Sequence, residues 1–565
     1  MQRIQISAVI FSAAVFSCSE VLAAAPTLTH LFPAGGQRGT KVSVTCAGAF
    51  TWPVSVSSPS VDVLVSQESG KLEITIPPDL DTDRIWIRLF NEQGASEAVP
   101  FQIGNLKEAV EIEPNNLPRR AQVVSNLNQT INGVILDADV DAFAVTLNAG
   151  QTLVANVDAN ARLGSPMDAI LQVVTPDGFV LAENNDEVAL DPRIVFTPKK
   201  AGTFVMRLFA FPAGQDATIA LRGGANYVYR LTLSTGPFIT HALPSAVTAG
   251  GLGMVDVFGW NIPPGTRLPV VPLGGENPSQ DRALESVAEL RVHPDSRIGF
   301  VNGPHMAGSV RVRIVPFPVV AGISWAKARD PLTIFPPVTT AGRFASAHQI
   351  DDYRIPLIVG QTVVITVESR NLESPLIPPE IRLADPEGKI VFDLDPVPQR
   401  FLPSVVSHRA TVSGDYHLSV RERNLQGHDR FFYRLTARLE EADFELTTSG
   451  DSVVVVPEKP TEFPVTIQRR TPADSNLGPI SIEAIDLPVG VVASAVISEV
   501  SGPTAAKVSL SFSTTGAAFS GKIRVKGTAN MPQKLERLAR TPAKLGDCFE
   551  TIWLTAVALP SDQPN

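Results

Sequence analysis

Cysteine is scarce in this chain, at three residues in 565. Cys18 lies near the N-terminus, which leaves Cys46 and Cys548 for the folded body. So few thiols exclude a disulfide framework, and the domains must rely on apolar cores. Both remaining cysteines are expected to be isolated buried thiols. Charge is thin too, at 18% of residues, against an ordinary share of about 25%. Net charge is −10 and no basic block occurs, which argues against nucleic acid or an anionic membrane as partner. Beyond the N-terminal stretch no run approaches the ~20 apolar residues that span a bilayer, so the mature chain is expected to lack a transmembrane segment. Amphipathic helices longer than two or three turns are missing. So are the zinc His-Glu-x-x-His helix, the Gly-x-Ser-x-Gly elbow and the Gly-x-x-x-x-Gly-Lys phosphate loop. No two histidines have metal-ligand spacing on a helix, and His30 and His241 occupy corresponding strand starts, which gives them a structural reading. The chain is expected not to be an enzyme.

What is abundant is turn and strand. The 47 prolines and 40 glycines are spread along the chain rather than clustered, as in many short strands joined by tight turns. Val42-Ser43-Val44-Thr45-Cys46, Ile85-Trp86-Ile87-Arg88-Leu89 and Phe143-Ala144-Val145-Thr146-Leu147 alternate with period two, the mark of strands with one buried face. Turn signals fall at Gly35-Gly36, Pro176-Asp177-Gly178 and Pro386-Glu387-Gly388. The expected class is all-β, built from antiparallel β-sandwiches.

Two stretches repeat about 211 positions apart, too long a period for a solenoid and long enough for two small domains. Thr29-His30-Leu31-Phe32-Pro33 returns as Thr240-His241-Ala242-Leu243-Pro244, Gly48 as Gly259, and Asp141 as Asp352. Ala149-Gly150-Gln151-Thr152 returns as Val359-Gly360-Gln361-Thr362. A two-domain cassette used twice gives boundaries at 26–104, 105–234, 235–335 and 336–439, with an unrepeated C-terminal β-sandwich at 440–565 that ends in a frayed tail. Residues 1–25 read as an export signal: Arg3, the apolar run Ile4 to Phe16, then Ala23-Ala24-Ala25. A membrane anchor, or a lipid attachment at Cys18, is the alternative. The expected location is the periplasm, cell surface or exterior.

The odd-numbered domains resemble the IPT/TIG family of immunoglobulin-like domains. The likeness rests on Leu28-Thr29-His30-Leu31-Phe32-Pro33, Gly39, Val42-Ser43-Val44 leading to Gly48, and the closing Val99-Pro100-Phe101-Gln102-Ile103. The second copy carries an insertion around Pro269 to Gln280. The even-numbered domains resemble the bacterial pre-peptidase C-terminal (PPC) domain, a jelly-roll-like sandwich found beside secreted peptidases and in non-catalytic exported proteins. Here the motifs run Glu111-Ile112-Glu113-Pro114-Asn115-Asn116, Gly133, Asp139-Val140-Asp141-Ala142-Phe143, Asn148 to Thr152, Asp168-Ala169-Ile170-Leu171, Thr175-Pro176-Asp177-Gly178 and Ala201 to Arg207. The second copy lacks the acidic opening segment.

Glu111 and Glu113 alternate and share a face, as do Asp137, Asp139 and Asp141. If the two segments meet, the crowded carboxylates favour a cation, and calcium takes six to eight such oxygens. Resemblance to calcium-binding PPC-like modules assigns ligand roles to Glu111, Glu113, Asn115, Asp139 and Asp141. The bland alternative is a set of solvated turn residues. No site is expected in the second copy, which offers only Asp351 and Asp352. The acidic run Glu183-Asn184-Asn185-Asp186-Glu187 reads as a solvated loop. Trp52 and Trp260 read as caps at sandwich ends, with a ligand-anchoring role as the rival, and Trp86 and Trp553 as core residues. Together these readings describe an exported, non-catalytic binding or adhesion protein contacting a protein or polysaccharide polymer through its PPC-like modules. Rivals are an accessory subunit of an exported enzyme system and a hydrolase with an unrecognised site.

Overall fold

The computed structural model describes residues 24–213, 220–251, 253–272, 284–285, 297–320, 330–369, 372, 374–375, 379–394, 403–472, 475–530 and 533–558. All but two residues of the expected export signal, Cys18, and most of the expected insertion lie outside them. The described residues form five β-sandwiches, and no described helix is long and apolar enough to cross a membrane. Alternation is the physical cause. In strand Lys41–Ala47, Val44 and Cys46 face the core while Ser43 and Thr45 face water. Burial pushes the Cys46 thiol up to about 12, which keeps it protonated and inert. Cys548 is buried as well.

The second and fourth sandwiches share one topology. In the second, one sheet runs Lys107–Val110, Asn128–Val134, Val228–Ser234, Leu153–Asp158, Arg193–Phe196 in spatial order. The other runs Gln122–Val123, Asp141–Leu147, Gly202–Pro212, Met167–Val174, Val180–Asn184. Phe143, Leu171, Met206 and Leu231 fill the space between them. The fourth repeats the order, opening with Val319–Val320 beside Val338–Arg343 and Leu332–Thr333 beside Ile350–Leu357. Both pairings are parallel, as are their counterparts in the second sandwich. The fourth sandwich therefore starts by Val319, ahead of the expected 336. Its two edge strands are two residues long, too short to show a period.

One equivalence also shifts by a residue. Asp141 sits opposite Leu208, and the residue opposite the matching Val420 is Asp351, not Asp352. A one-residue slip exchanges the faces of a strand. Asp351 is buried, as Asp141 is, while Asp352 is exposed. The Gly48–Gly259 equivalence holds: both have positive φ, and a Cβ would strike the backbone carbonyl of Thr27 at Gly48 and that of Phe238 at Gly259.

The sandwiches do not hang as beads. Strand Arg84–Asn91 turns Ile85, Ile87 and Leu89 into the first core and Arg84, Trp86, Arg88 and Phe90 outward. That outward stripe meets the fifth sandwich. Trp86 Nε1 donates to Asp547 Oδ2 at 2.9 Å, and the Phe90 and Trp553 rings lie 4.7 Å apart. Trp86 and Trp553 are thus joint residues rather than members of one domain's core. Asp547 also pairs with Arg84 (2.9 Å) and with Arg311 of the third sandwich. Arg311 reaches Asp83 at 3.3 Å, and Asp83 lies 3.7 Å from Arg162 of the second sandwich. Burial alone would raise the Asp83 carboxyl. The guanidinium groups of Arg311, Arg162 and Arg84 outweigh it and hold the group well below the usual range.

The acidic run behaves likewise. Glu187 pairs with Arg430 of the fourth sandwich, whose guanidinium lies over the Trp260 ring. Glu183, Asn185 and Asp186 are exposed, as expected of a solvated run, and only its last residue, Glu187, forms an inter-domain clasp. Trp52 caps its own sandwich, donating from Nε1 to Ser66 O at 2.9 Å. His241 is stacked between Phe258 and Phe432 at ring distances of 5.0 and 4.3 Å. Burial, with the nearby charges of Arg430 and Arg343, lowers its pKa to about 3, so it is a neutral packing piece.

Candidate metal centre

Glu111 directly follows strand Lys107–Val110, and its backbone N–H donates to Asn132 O at 3.0 Å. That pairing fixes it beside Gly133 on the neighbouring strand. Asp141 opens strand Asp141–Leu147 in the facing sheet and is fully buried. Ligand oxygens of Glu111, Glu113 and Asp141 all lie within 4.8 Å of one another. Asn115 and Asp139 stand beside this group. Asn115 is buried, its Oδ1 accepts from Ala142 N–H at 3.0 Å, and its backbone N–H donates to Glu113 Oε2 at 2.8 Å. Asp139 Oδ1 accepts from Val140 N–H at 2.8 Å and from Asn116 Nδ2. Asp137 is exposed.

A fourth member was absent from the sequence reading. Tyr229, opposite Gly133, places its hydroxyl 2.8 Å from Glu111 Oε2 and 2.6 Å from Asp141 Oδ2. A phenol has one proton to donate, so it satisfies one of these carboxylates and not both. Its sequence signal was a repeated tetrapeptide. Tyr229-Arg230-Leu231-Thr232 returns as Tyr433-Arg434-Leu435-Thr436, at a spacing the ~211-residue period of the rest conceals.

The group is electrostatically uncomfortable. Burial, then the charge of Glu111, drives the Asp141 carboxyl far above the usual carboxylate range. Burial likewise raises Glu111, and the charge of Glu113 adds to it. Asp141 Oδ1 and Asn115 Nδ2 are buried with no hydrogen-bond partner. The second copy resolves the same geometry with donors. Tyr433 donates to Asp351 Oδ2 at 2.6 Å, and Gln349 Nε2 donates to Asp351 Oδ1 at 2.8 Å. Tyr353 stands where the first copy has Phe143, and its hydroxyl meets that of Tyr433 at 2.7 Å.

Neither a protein-family model nor a curated protein matches the chain. Similar solved structures include the pre-peptidase C-terminal domain of a Bacillus anthracis collagenase, at 13% identity and TM-score 0.16, covering 20% of this chain and 98% of that one. They also include fibronectin(III)-like modules of Clostridium thermocellum CbhA, at 9% identity and TM-score 0.13, covering 40% and 99%. The eight N-terminal immunoglobulin domains of Down Syndrome Cell Adhesion Molecule match at 12% identity and TM-score 0.13, covering 92% and 63%. Scores this low leave the fold to rest on the chain's own strand pairing.

The tyrosine makes a sharp test of the site. A Cβ at Gly133 would overlap the Tyr229 ring and the Glu111 carboxylate. Gly133→Ala is expected to destabilise the second sandwich by about 1–3 kcal/mol, the usual cost of overpacking. Chemical denaturation of the variant beside the parent chain measures the loss.

Proposed function

We propose that this chain is an exported, non-catalytic, multi-domain binding protein whose second sandwich is supported by calcium. The carrying observation is the buried, unpartnered Asp141 Oδ1 inside a group of three carboxylates, set against an Asp351 satisfied by donors. Glu111, Glu113 and Asp141 would supply charged oxygens to the ion, and Asn115 and Asp139 flank them. Hard oxygen ligands without cysteine or histidine suit calcium better than zinc. The ion would supply positive charge, and the residues would hold the opening segment against the facing sheet. The PPC-like sandwiches are the units that contact a protein or polysaccharide polymer, and the IPT-like sandwiches space them. The N-terminal apolar stretch supports export, and the neutral, stacked His241 supports a structural use of its histidine.

Calcium at saturating concentration is expected to raise the melting temperature of the full chain, and chelation to lower it. Elemental analysis should find about one calcium per chain, since only one copy keeps the carboxylates. An unchanged melting curve with no bound metal would remove calcium from this reading. Binding to immobilised cell-wall glycans and fibrous proteins tests the polymer contact separately.

The pH dependence follows from the direction of the shifts. Asp141 and Glu111 have folded pKa values above their unfolded ones, so the folded metal-free protein binds more protons. Metal-free stability should therefore fall as pH rises from about 4 toward neutral. Calcium should cancel that fall. Asp141→Asn should flatten the slope and abolish the calcium response together.

A further inference from the structure

A short helical turn of the second sandwich, Asn160–Leu163, seats against the first. Arg162 O accepts from Gln102 Nε2 at 2.9 Å and from Arg84 Nη1 at 3.4 Å. Leu163 packs with Phe32 and Ala34 of the first sandwich. One turn cannot hold a helical shape by itself. Asp191, from a distant segment, holds it. The Asp191 carboxyl accepts from the backbone N–H groups of Ala159 (3.0 Å), Asn160 (2.7 Å) and Ala161 (3.1 Å), donors that a helix start leaves unsatisfied. The carboxyl is buried, so water does not readily replace it.

Asp191 also closes the loop 187–191, whose other end, Glu187, clasps Arg430 of the fourth sandwich. The loop is tied to itself. Asp191 O accepts from the backbone N–H groups of Glu187 (3.2 Å) and Val188 (3.0 Å), and Asp191 N–H donates to Val188 O at 3.0 Å. So short and cross-bonded a loop has little slack, and a shift at one end reaches the other. Ala189 within it has φ 53°, a left-handed conformation unfavourable for a residue with a Cβ. The loop is thus held under strain by its two ends, and releasing either lets it relax. Polar contacts run from Gln102 of the first sandwich, through the turn, Asp191 and Glu187, to Arg430 of the fourth.

We propose that the loop 187–191 is a strap coupling the two joints, so that the second sandwich grips the first and the fourth together rather than independently. Freeing Arg430 loosens the turn seated on the first sandwich, and freeing the turn loosens the clasp, because coupling between two positions is reciprocal. A pull on the fourth sandwich is then felt at the first. The strap uses none of the carboxylates of the candidate metal centre and needs no calcium.

Hydrogen–deuterium exchange of the full chain, read in peptides by mass spectrometry, tests it by perturbing one end and observing the other. Arg430→Gln should speed exchange across 159–164 about tenfold, while strand Asp141–Leu147 of the same sandwich stays unchanged. Gln102→Met removes the donor to Arg162 O at similar volume, and should speed exchange across 187–191 by a similar factor. Arg421→Gln breaks a different ion pair of the fourth sandwich, with Glu380, and should leave 159–164 as in the parent. Unchanged exchange at 159–164 in Arg430→Gln, unchanged exchange at 187–191 in Gln102→Met, equal acceleration of Asp141–Leu147, or the same response to Arg421→Gln would each overturn the proposal.

Discussion

Glu368→Gln is expected to destabilise the chain by about 3–5 kcal/mol, because it strands two buried arginines. Glu368 lies at the joint of the third and fourth sandwiches and is fully buried. Its Oε2 accepts from Arg313 Nη1 at 2.6 Å and its Oε1 from Arg434 Nη2 at 2.8 Å. Burial alone would raise its pKa, but the two guanidinium groups outweigh this and hold it well below the usual range. The sign follows. A depressed folded pKa gives stability that is present above the unfolded value, near 4.3, and lost as pH falls below it. Glutamine should therefore cost most at neutral pH and progressively less in acid. Replacing all three charges together by leucine and methionine should cost far less than the single change, since no lone charge remains. Urea unfolding at several pH values, on all the variants, measures both effects. A single variant no less stable than the triple one would refute the account.

The second large effect belongs to Asp547. Asp547→Ala is expected to undock the fifth sandwich from the rest, at a cost of about 3–5 kcal/mol to the joint. Three positive or polar groups from two other sandwiches converge on this one carboxylate: Trp86 Nε1, Arg84 and Arg311. Losing it leaves Arg311 paired with Asp83 and puts Trp86 Nε1 in a buried, unpaired state. Small-angle scattering should show a longer particle, and limited proteolysis should cut near residues 440–442. By contrast Lys544→Ala breaks only an exposed pair with Glu97, and should leave shape and stability within about 0.5 kcal/mol of the parent. An unchanged scattering profile for Asp547→Ala would show that apolar contacts alone hold the joint.

The fold class was readable because alternation and turn chemistry are local. Val44 and Cys46 announce a half-buried strand without help from anything distant. Equivalent positions were readable where loop lengths match, as at Gly48 and Gly259. They failed by one residue at Asp352, where only strand pairing selects the face. The candidate site was half legible. Alternation placed Glu111 and Glu113 on one face, but nothing local tied them to Asp141 rather than Asp139, or revealed Tyr229 bridging them. The joints were the least legible part. Arg84, Trp86, Arg88 and Phe90 make an alternating aromatic and arginine stripe, a composition that favours interfaces. Its partner, Asp547, lies hundreds of residues away. Glu187 reads as solvated until Arg430 is brought against it.

The convergence on Asp547 also sets an order of events during synthesis. The outward stripe of strand Arg84–Asn91 is made first, whereas Asp547, the residue that closes over it, follows Trp86 by 461 positions. Until then Trp86 and Phe90 remain uncovered on an otherwise finished domain. Contacts of such long sequence separation form late, and a nascent chain with an uncovered aromatic face is prone to aggregate. The closing step thus falls to the fifth sandwich, and truncations that remove its strands should yield folded but sticky fragments.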